Sequence, residues 1–309
     1  MVLKMAKVED TYCEAFEGLC VQLQITAQDT EFLNRAVNSF TALPFTVFGD
    51  VEGGIVRWLR EDETIDGRVG AVVQLWVTGS GKKATAKFYD QLGRRIRQGI
   101  LVVPTTAVFD FYPQITEDKF KMMDNVGHCG DGYEEVIDNY SRKLISVPIM
   151  MGYDFLIEEE LSYAKGIMGG NFWLFCNSVS SGIKVGREAV RIFSEIDNVC
   201  DTFNVCSAGS KPETNFPEIG PSTNHPYCPT LKSRLSSEEF KVPNAVLSIP
   251  EIVFNALDLE TIKKAMVSVI EGIIDMDGLI MISSGNYGGK LGKYNIFLRE
   301  LGLKDKYFI

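Results

Sequence analysis

Three features predict an α+β protein built from two ferredoxin-like (βαββαβ) α/β sandwich domains. The second half of the chain alternates apolar strand-like runs with two helices in that order. The first half repeats the same order, which suggests an internal duplication. The helix runs carry apolar residues near helical spacing, while the strand runs are short and apolar. The division falls at residues 1–152 for an N-terminal domain with a connector and 153–309 for a C-terminal domain.

In the second half, Asn171 to Asn177 is an aromatic, apolar run suited to a buried strand. Ser178 to Glu195 follows with Val179, Ile183, Val185, Gly186, Ala189, Val190 and Phe193 near helical spacing behind N-capping serines. Val199 to Cys206 reads as a second strand and Ala245 to Asn255 as a third, with a Pro/Gly/Ser/Asn-rich loop from Ser207 to Pro229 between them. Asp258 caps a helix carrying Leu259, Ile262, Ala265, Met266, Val269, Ile270 and Ile273, and Gly278 to Ser284 closes as a fourth strand. In the first half the matching segments are strand Leu19 to Thr26, helix Asp29 to Thr41 and strand Phe45 to Phe48. Strand Gly70 to Thr78, a helix from Lys83 to Arg97 and strand Gly99 to Val103 complete the repeat. Residues 104–152 are left as a connector.

With 309 residues, 45% of them hydrophobic and 23% charged, the chain can bury a sizeable core. A formal charge of −10 argues against a nucleic-acid partner, because an acidic surface repels a phosphate backbone. The densest basic cluster, Arg94, Arg95 and Arg97, reads as a solvated helix face. No apolar run approaches the roughly 18 residues of a membrane span, and no signal-peptide core opens the chain; a cytoplasmic location is expected. Seven irregularly spaced cysteines without a Cys-x-x-Cys, and only His128 and His225, give poor support to a metal centre or a disulfide scaffold.

The most unusual stretch is Ser283 to Tyr294, Ser-Ser-Gly-Asn-Tyr-Gly-Gly-Lys-Leu-Gly-Lys-Tyr. Its glycines can present backbone N–H groups to an anion, Lys290 and Lys293 supply charge, and Tyr287 can stack on a planar ring. A plain tight turn after a strand accounts for the composition equally well.

This stretch resembles the C-terminal signature of the formylmethanofuran:tetrahydromethanopterin formyltransferase family. Further blocks similar to that family occur in its order: Glu9-Asp10-Thr11 with Glu14-Ala15-Phe16, Pro104 to Asp110, Gly130 to Glu134, Gly169 to Phe172, and Thr223-Asn224-His225 with Cys228 to Lys232. The similarity spans nearly the whole chain. It implies two ferredoxin-like domains and a homo-oligomer, commonly a dimer of dimers. It also implies reversible transfer of a formyl group from methanofuran's amine to N5 of tetrahydromethanopterin. Both coenzymes act as substrates, with no cofactor beyond them, no membrane and no nucleic acid.

That reaction needs donors for a tetrahedral oxyanion and a group that moves protons between two nitrogens. The resemblance assigns the second role to Glu251, in Ile249-Pro250-Glu251-Ile252-Val253, where partial burial suits a carboxyl to proton exchange near neutral pH. On the residues alone, an edge-strand glutamate facing solvent is the simpler reading. The resemblance also places Thr105, Thr106, His225, Asn286, Tyr287, Gly288, Gly289, Lys290 and Lys293 at the substrates, with Lys211 and Lys232 as further cations. The chain departs from the family where Val103 precedes Pro104 in place of a cysteine, which removes a thiol nucleophile and favours direct transfer. The proline-bearing loop before Thr223 differs too, and Pro250 beside Glu251 is unusual. These departures keep a second reading open, a divergent non-catalytic or assembly subunit of a formyltransferase/hydrolase complex.

Overall fold

The computed structural model describes residues 5–42, 51–112, 116–207 and 224–309. It is a mixed α+β structure. Among the described residues the elements are, in order, β1 (Lys7–Val8), β2 (Tyr12–Ala27), α1 (Thr30–Thr41), β3 (Glu52–Leu59), β4 (Val69–Thr78), α2 (Lys82–Arg95) and β5 (Ala107–Asp110). They continue with β6 (Lys119–Lys121), β7 (Glu135–Asn139), β8 (Arg142–Pro148), β9 (Asp154–Glu158) and β10 (Glu160–Cys176). The last are α3 (Val179–Ser194), β11 (Val199–Asp201), β12 (Glu251–Ala256), α4 (Leu259–Ile273), β13 (Leu279–Ser283) and β14 (Tyr294–Phe297). The chain forms two compact units, Gly18–Gly166 and Met1–Glu17 with Ile167–Ile309. Relative to a cut at 152/153, the first seventeen residues join the later unit and residues 153–166 join the earlier one.

In the Gly18–Gly166 unit, β2 is flanked by β4 and β5, and β3 pairs with β4, all antiparallel. Period-two alternation along β2 sends Leu19, Val21, Leu23, Ile25 and Ala27 into one core with Leu33, Ala36, Val37 and Phe40 of α1. The Asp29 carboxylate accepts the Phe32 N–H at 2.9 Å and starts that helix, a cap worth about 1 kcal/mol. The other unit has the same pattern: β10 lies between β12 and β13, and β11 pairs with β12, again antiparallel. Ser178 caps α3 and Asp258 caps α4, each through a side-chain oxygen that accepts an N–H three residues on.

Several expected elements move. The run 99–103 is not a strand: Ile96–Leu101 extends α2 as a π-helical turn, and the fourth strand of that unit is β5. Ile96, Gly99 and Ile100 are buried at helical spacing, so the apolar run packs as a helix. Residues 107–110 of the expected connector are therefore sheet. Arg95 and Arg97 turn inward, Arg95 onto the Phe40 carbonyl at 2.6 Å and Arg97 onto the Asn125 side chain at 2.8 Å, so only part of that basic cluster is solvated. The strand expected over 199–206 stops at Asp201, whose carboxylate accepts the Asn204 N–H and turns the chain. The chain rejoins the sheet at Cys206, which exchanges both backbone bonds with Glu251 at 2.9 Å. The strand expected from Ala245 begins only at Glu251, after Pro250. The expected strand over 45–48 lies outside the described residues; a strand of that unit is found at β3.

Candidate active site

Three neighbouring strands meet at one residue. Trp173 of β10 is in register with Glu251, the first residue of β12, and with Ser283, the last of β13. Residues opposite one another in a sheet point to the same face, so Glu251, Trp173 and Ser283 form a row about 10 Å wide, two inter-strand spacings. Within it, the indole Nε1–H of Trp173 donates to Glu251 Oε1 at 3.0 Å. Glu251 is only 2% exposed, which removes the solvent-facing reading. The ring of Tyr227 meets that of Trp173 edge-on, with centroids 4.8 Å apart. On the far side, Ser283 Oγ donates to Glu9. The Tyr227 hydroxyl is pushed above its ordinary pKa by burial and, secondarily, by the Glu9 carboxylate.

Glu251 lines a cavity of about 620 Å³. Its wall includes Trp173 and Tyr227, Val179, Ile183 and Arg187 from α3, and the thiol-bearing Cys206 and Cys228. This is a chamber with one buried carboxylate, two aromatic rings and one guanidinium at its rim. Among the described residues, no three His, Cys, Asp or Glu side chains come together as metal ligands would.

The glycine-rich segment adjoins this row through Gly285. A Cβ at Gly285 would lie 2.9 Å from the Trp173 ring, so the backbone there packs flat on the indole. Asn171 pins the same residue, accepting its N–H at 2.7 Å and donating to its carbonyl at 3.2 Å. Four of this loop's N–H groups meet an anion that is internal to the protein. Glu14, 1% exposed, accepts the N–H groups of Tyr287 and Gly289 on Oε1 and those of Leu291 and Gly292 on Oε2, at 2.6–3.2 Å. Gly288 and Gly289 both adopt left-handed φ, 69° and 77°, which curls the backbone around that carboxylate.

The other sequence candidates divide accordingly. Asn286 donates to Thr11 Oγ1 at 3.2 Å, and Tyr287 is buried, 8% exposed, rather than presented for stacking. Lys290 is exposed and makes no ion pair among the described residues, whereas Lys293 already pairs with Glu17 at 3.1 Å. His225 is exposed in a short 3₁₀ turn, His225–Tyr227, beside the cavity residues Asn224 and Tyr227. Lys232 is exposed. Thr105 and Thr106 belong to the Gly18–Gly166 unit. Thr106 is buried with its hydroxyl on the carbonyls of Ile100 and Val103, and Thr105 holds φ 67° while its Oγ1 accepts the Gln28 N–H. Lys211 and Thr223 lie outside the described residues.

Comparison with known proteins supplies the frame for this site. The family model described as formylmethanofuran-tetrahydromethanopterin formyltransferase matches residues 1–149, and that of the formyltransferase proximal lobe matches 153–301. The chain belongs to this formyltransferase family. It is 50% identical over 294 residues to a formylmethanofuran–tetrahydromethanopterin formyltransferase-like protein of Archaeoglobus fulgidus, covering 95% of this chain and 96% of that one. It is 36% identical over 308 residues to the formyltransferase of Methanosarcina acetivorans, covering 97% and 100%. Among solved structures, the formyltransferase of Methanosarcina barkeri superposes with a TM-score of 0.84 at 35% identity over 96% of this chain and 98% of that one. The formyltransferase/hydrolase complex of Methylorubrum extorquens, solved with methylofuran, contains a chain similar at a TM-score of 0.79 and 28% identity, with 97% of both covered.

Four residues of this family member were not singled out in the sequence: Trp173, Tyr227, Arg187 and, for its role, Glu14. A buried strand tryptophan, a tyrosine in a loop and one arginine on a helix carry no local signature. Only the pairing of distant strands brings them together.

Proposed function

We propose that the chain moves a formyl group reversibly between formylmethanofuran and N5 of tetrahydromethanopterin, by direct attack through a tetrahedral intermediate. The carrying observation is Glu251, a buried carboxyl at the wall of a cavity, oriented by the Trp173 N–H. In the reaction, one amine nitrogen attacks the formamide carbon and must lose a proton, while the departing nitrogen must gain one. The net proton count is zero, so one carboxylate that accepts and returns a proton serves both steps.

The two repeats read as ferredoxin-like domains. The support is the shared βαββαβ order with the first strand between the third and fourth; separate family models over 1–149 and 153–301 favour a repeat boundary at 152/153. We read the protein as a cytoplasmic homo-oligomer that needs no metal or prosthetic group.

Spectrophotometric assay with both coenzymes tests the activity, and Glu251→Gln tests the mechanism. The variant should lose about 10²- to 10⁴-fold in turnover with KM within a few-fold. Wild-type turnover in Glu251→Gln would remove the carboxyl from the mechanism. An isolated wild-type protein that folds but transfers nothing would replace the enzyme by the assembly subunit.

A further inference from the structure

The cavity at Glu251 has one wall whose composition the chemistry at Glu251 does not explain. Along α3, Val179, Ile183 and Arg187 follow at four-residue intervals and all line it. The row is about 12 Å long, eight residues at 1.5 Å each. Val179 and Ile183 are 63% and 44% exposed, so two large apolar side chains face the chamber instead of the core. Arg187 is exposed and forms no ion pair among the described residues, although Arg191, one turn later, is held by both Glu188 and Glu195.

The neighbouring helix row explains how this wall is set in place. A Cβ at Gly182 would lie 2.5 Å from Ser248 Oγ, and one at Gly186 would lie 2.8 Å from a Val205 methyl. These two glycines let the segments that lead into Glu251 and Cys206 pack directly on the helix backbone. The apolar row and its terminal guanidinium are thereby fixed on the same chamber as the carboxyl.

We propose that Val179, Ile183 and Arg187 form the strip that recognises the tail of one substrate: its apolar portion lies along Val179 and Ile183, and a carboxylate or phosphate at its end meets Arg187. The inference rests on the reading of Glu251 as the site of chemistry, because it assigns the strip to whatever extends from there. A guanidinium matches either anion bidentately. An arginine without an ion-pair partner among the described residues keeps that capacity for a ligand, whereas Lys293 of the glycine-rich loop has already given its charge to Glu17.

Steady-state kinetics of Arg187→Gln, Arg187→Lys and Arg191→Gln test this, with each coenzyme varied in turn and with an N-formyl amine that lacks an anionic tail. Arg187→Gln should raise KM for one coenzyme about ten- to a hundredfold and leave its kcat within about twofold. Arg187→Lys should fall between that variant and wild type, and Arg191→Gln should leave KM unchanged. KM for the tailless formyl donor should move less than about twofold if the strip serves the formyl donor; if it serves the acceptor, only the acceptor's KM should rise. Unchanged KM values in Arg187→Gln, or an equal rise for substrates with and without the anionic end, would overturn the proposal. So would an equal rise in Arg191→Gln, since net charge would then be the cause. Glu251→Gln assayed in parallel separates the two ideas: normal turnover there with a raised KM in Arg187→Gln defeats the carboxyl mechanism and leaves the strip standing.

Discussion

The two units share a strand order, yet the polar rows on their equivalent strands do opposite things. In the Gly18–Gly166 unit, Gln22 of β2 lies in register with Gln74 of β4, and Cys20 with Trp76. Gln74 donates to Gln22 Oε1 at 2.7 Å and to the Tyr112 hydroxyl at 3.3 Å, and accepts the Trp76 indole N–H at 2.9 Å. Gln74 and Trp76 are fully buried, the buried Glu52 of β3 lies in register with Trp76, and the hydrogen bonds around Gln74 run between neutral groups. In the other unit the same pair of strands, first and third, carries Trp173 and Glu251, again an indole N–H on a side-chain oxygen, but the acceptor is a carboxyl and a cavity adjoins it. One row is a sealed structural network; the other leaves an ionisable group in contact with space for a ligand. A common topology thus supports stability in one copy and is suited to chemistry in the other, and the carboxyl acceptor with its adjoining cavity distinguishes them.

Exchanging the acceptors should expose that difference most strongly. Gln74→Glu puts a carboxylate against the Gln22 carbonyl and removes the donors to Gln22 and Tyr112, with no cation in the row among the described residues. Chemical denaturation should show a loss of about 3–5 kcal/mol. Glu251→Gln retains an acceptor for the Trp173 N–H and should cost less than about 1 kcal/mol. Comparable losses in the two variants would mean that the rows are equally structural.

Much of the framework behind this comparison was legible, because it is local. Asp29, Ser178 and Asp258 announce helix starts through contacts three residues away, and the helical faces of α1, α3 and α4 repeat within a dozen residues. The fourth strand of the first repeat was misplaced because Ile100-Leu101-Val102-Val103 is a short continuous apolar run, for which periodicity cannot separate strand from helix. The site itself is non-local. Glu14 meets backbone groups 273 to 278 positions away, and Trp173 meets Glu251 across 78. Glycine richness in Ser283 to Tyr294 correctly signalled a curled, N–H-presenting backbone but not the carboxylate inside it. Glu251 was visible only through its resemblance to the family.

A subtler test asks whether the indole N–H of the open row has the role that its closed counterpart lacks. Trp173→Phe keeps a ring against Gly285 and Tyr227 but removes the donor to Glu251. Turnover should fall about three- to tenfold, the equivalent of one hydrogen bond. Trp76→Phe, in the closed row, should leave turnover within about twofold. Wild-type turnover in Trp173→Phe would make the bond a packing detail.

The effect most remote from the chemistry belongs to the sheet edge beside the open row. Burial raises the Asp201 carboxyl to about 6, partly offset by the Asn204 N–H that it accepts. In the unfolded chain the same group titrates near 4. Between these values the folded protein holds the extra proton, so stability is greatest below about pH 4, declines as pH rises to about 6 and levels off above it. Asp201→Asn keeps an acceptor for the Asn204 N–H without the charge. Thermal melts from pH 4 to 8 should therefore show wild type and variant together at the acid end. The variant should pull ahead by about 2 kcal/mol by pH 6, with a nearly constant gap beyond about pH 7. A gap that is already full at pH 4 would trace the gain to local geometry rather than to an ionisation that the edge of this sheet resists.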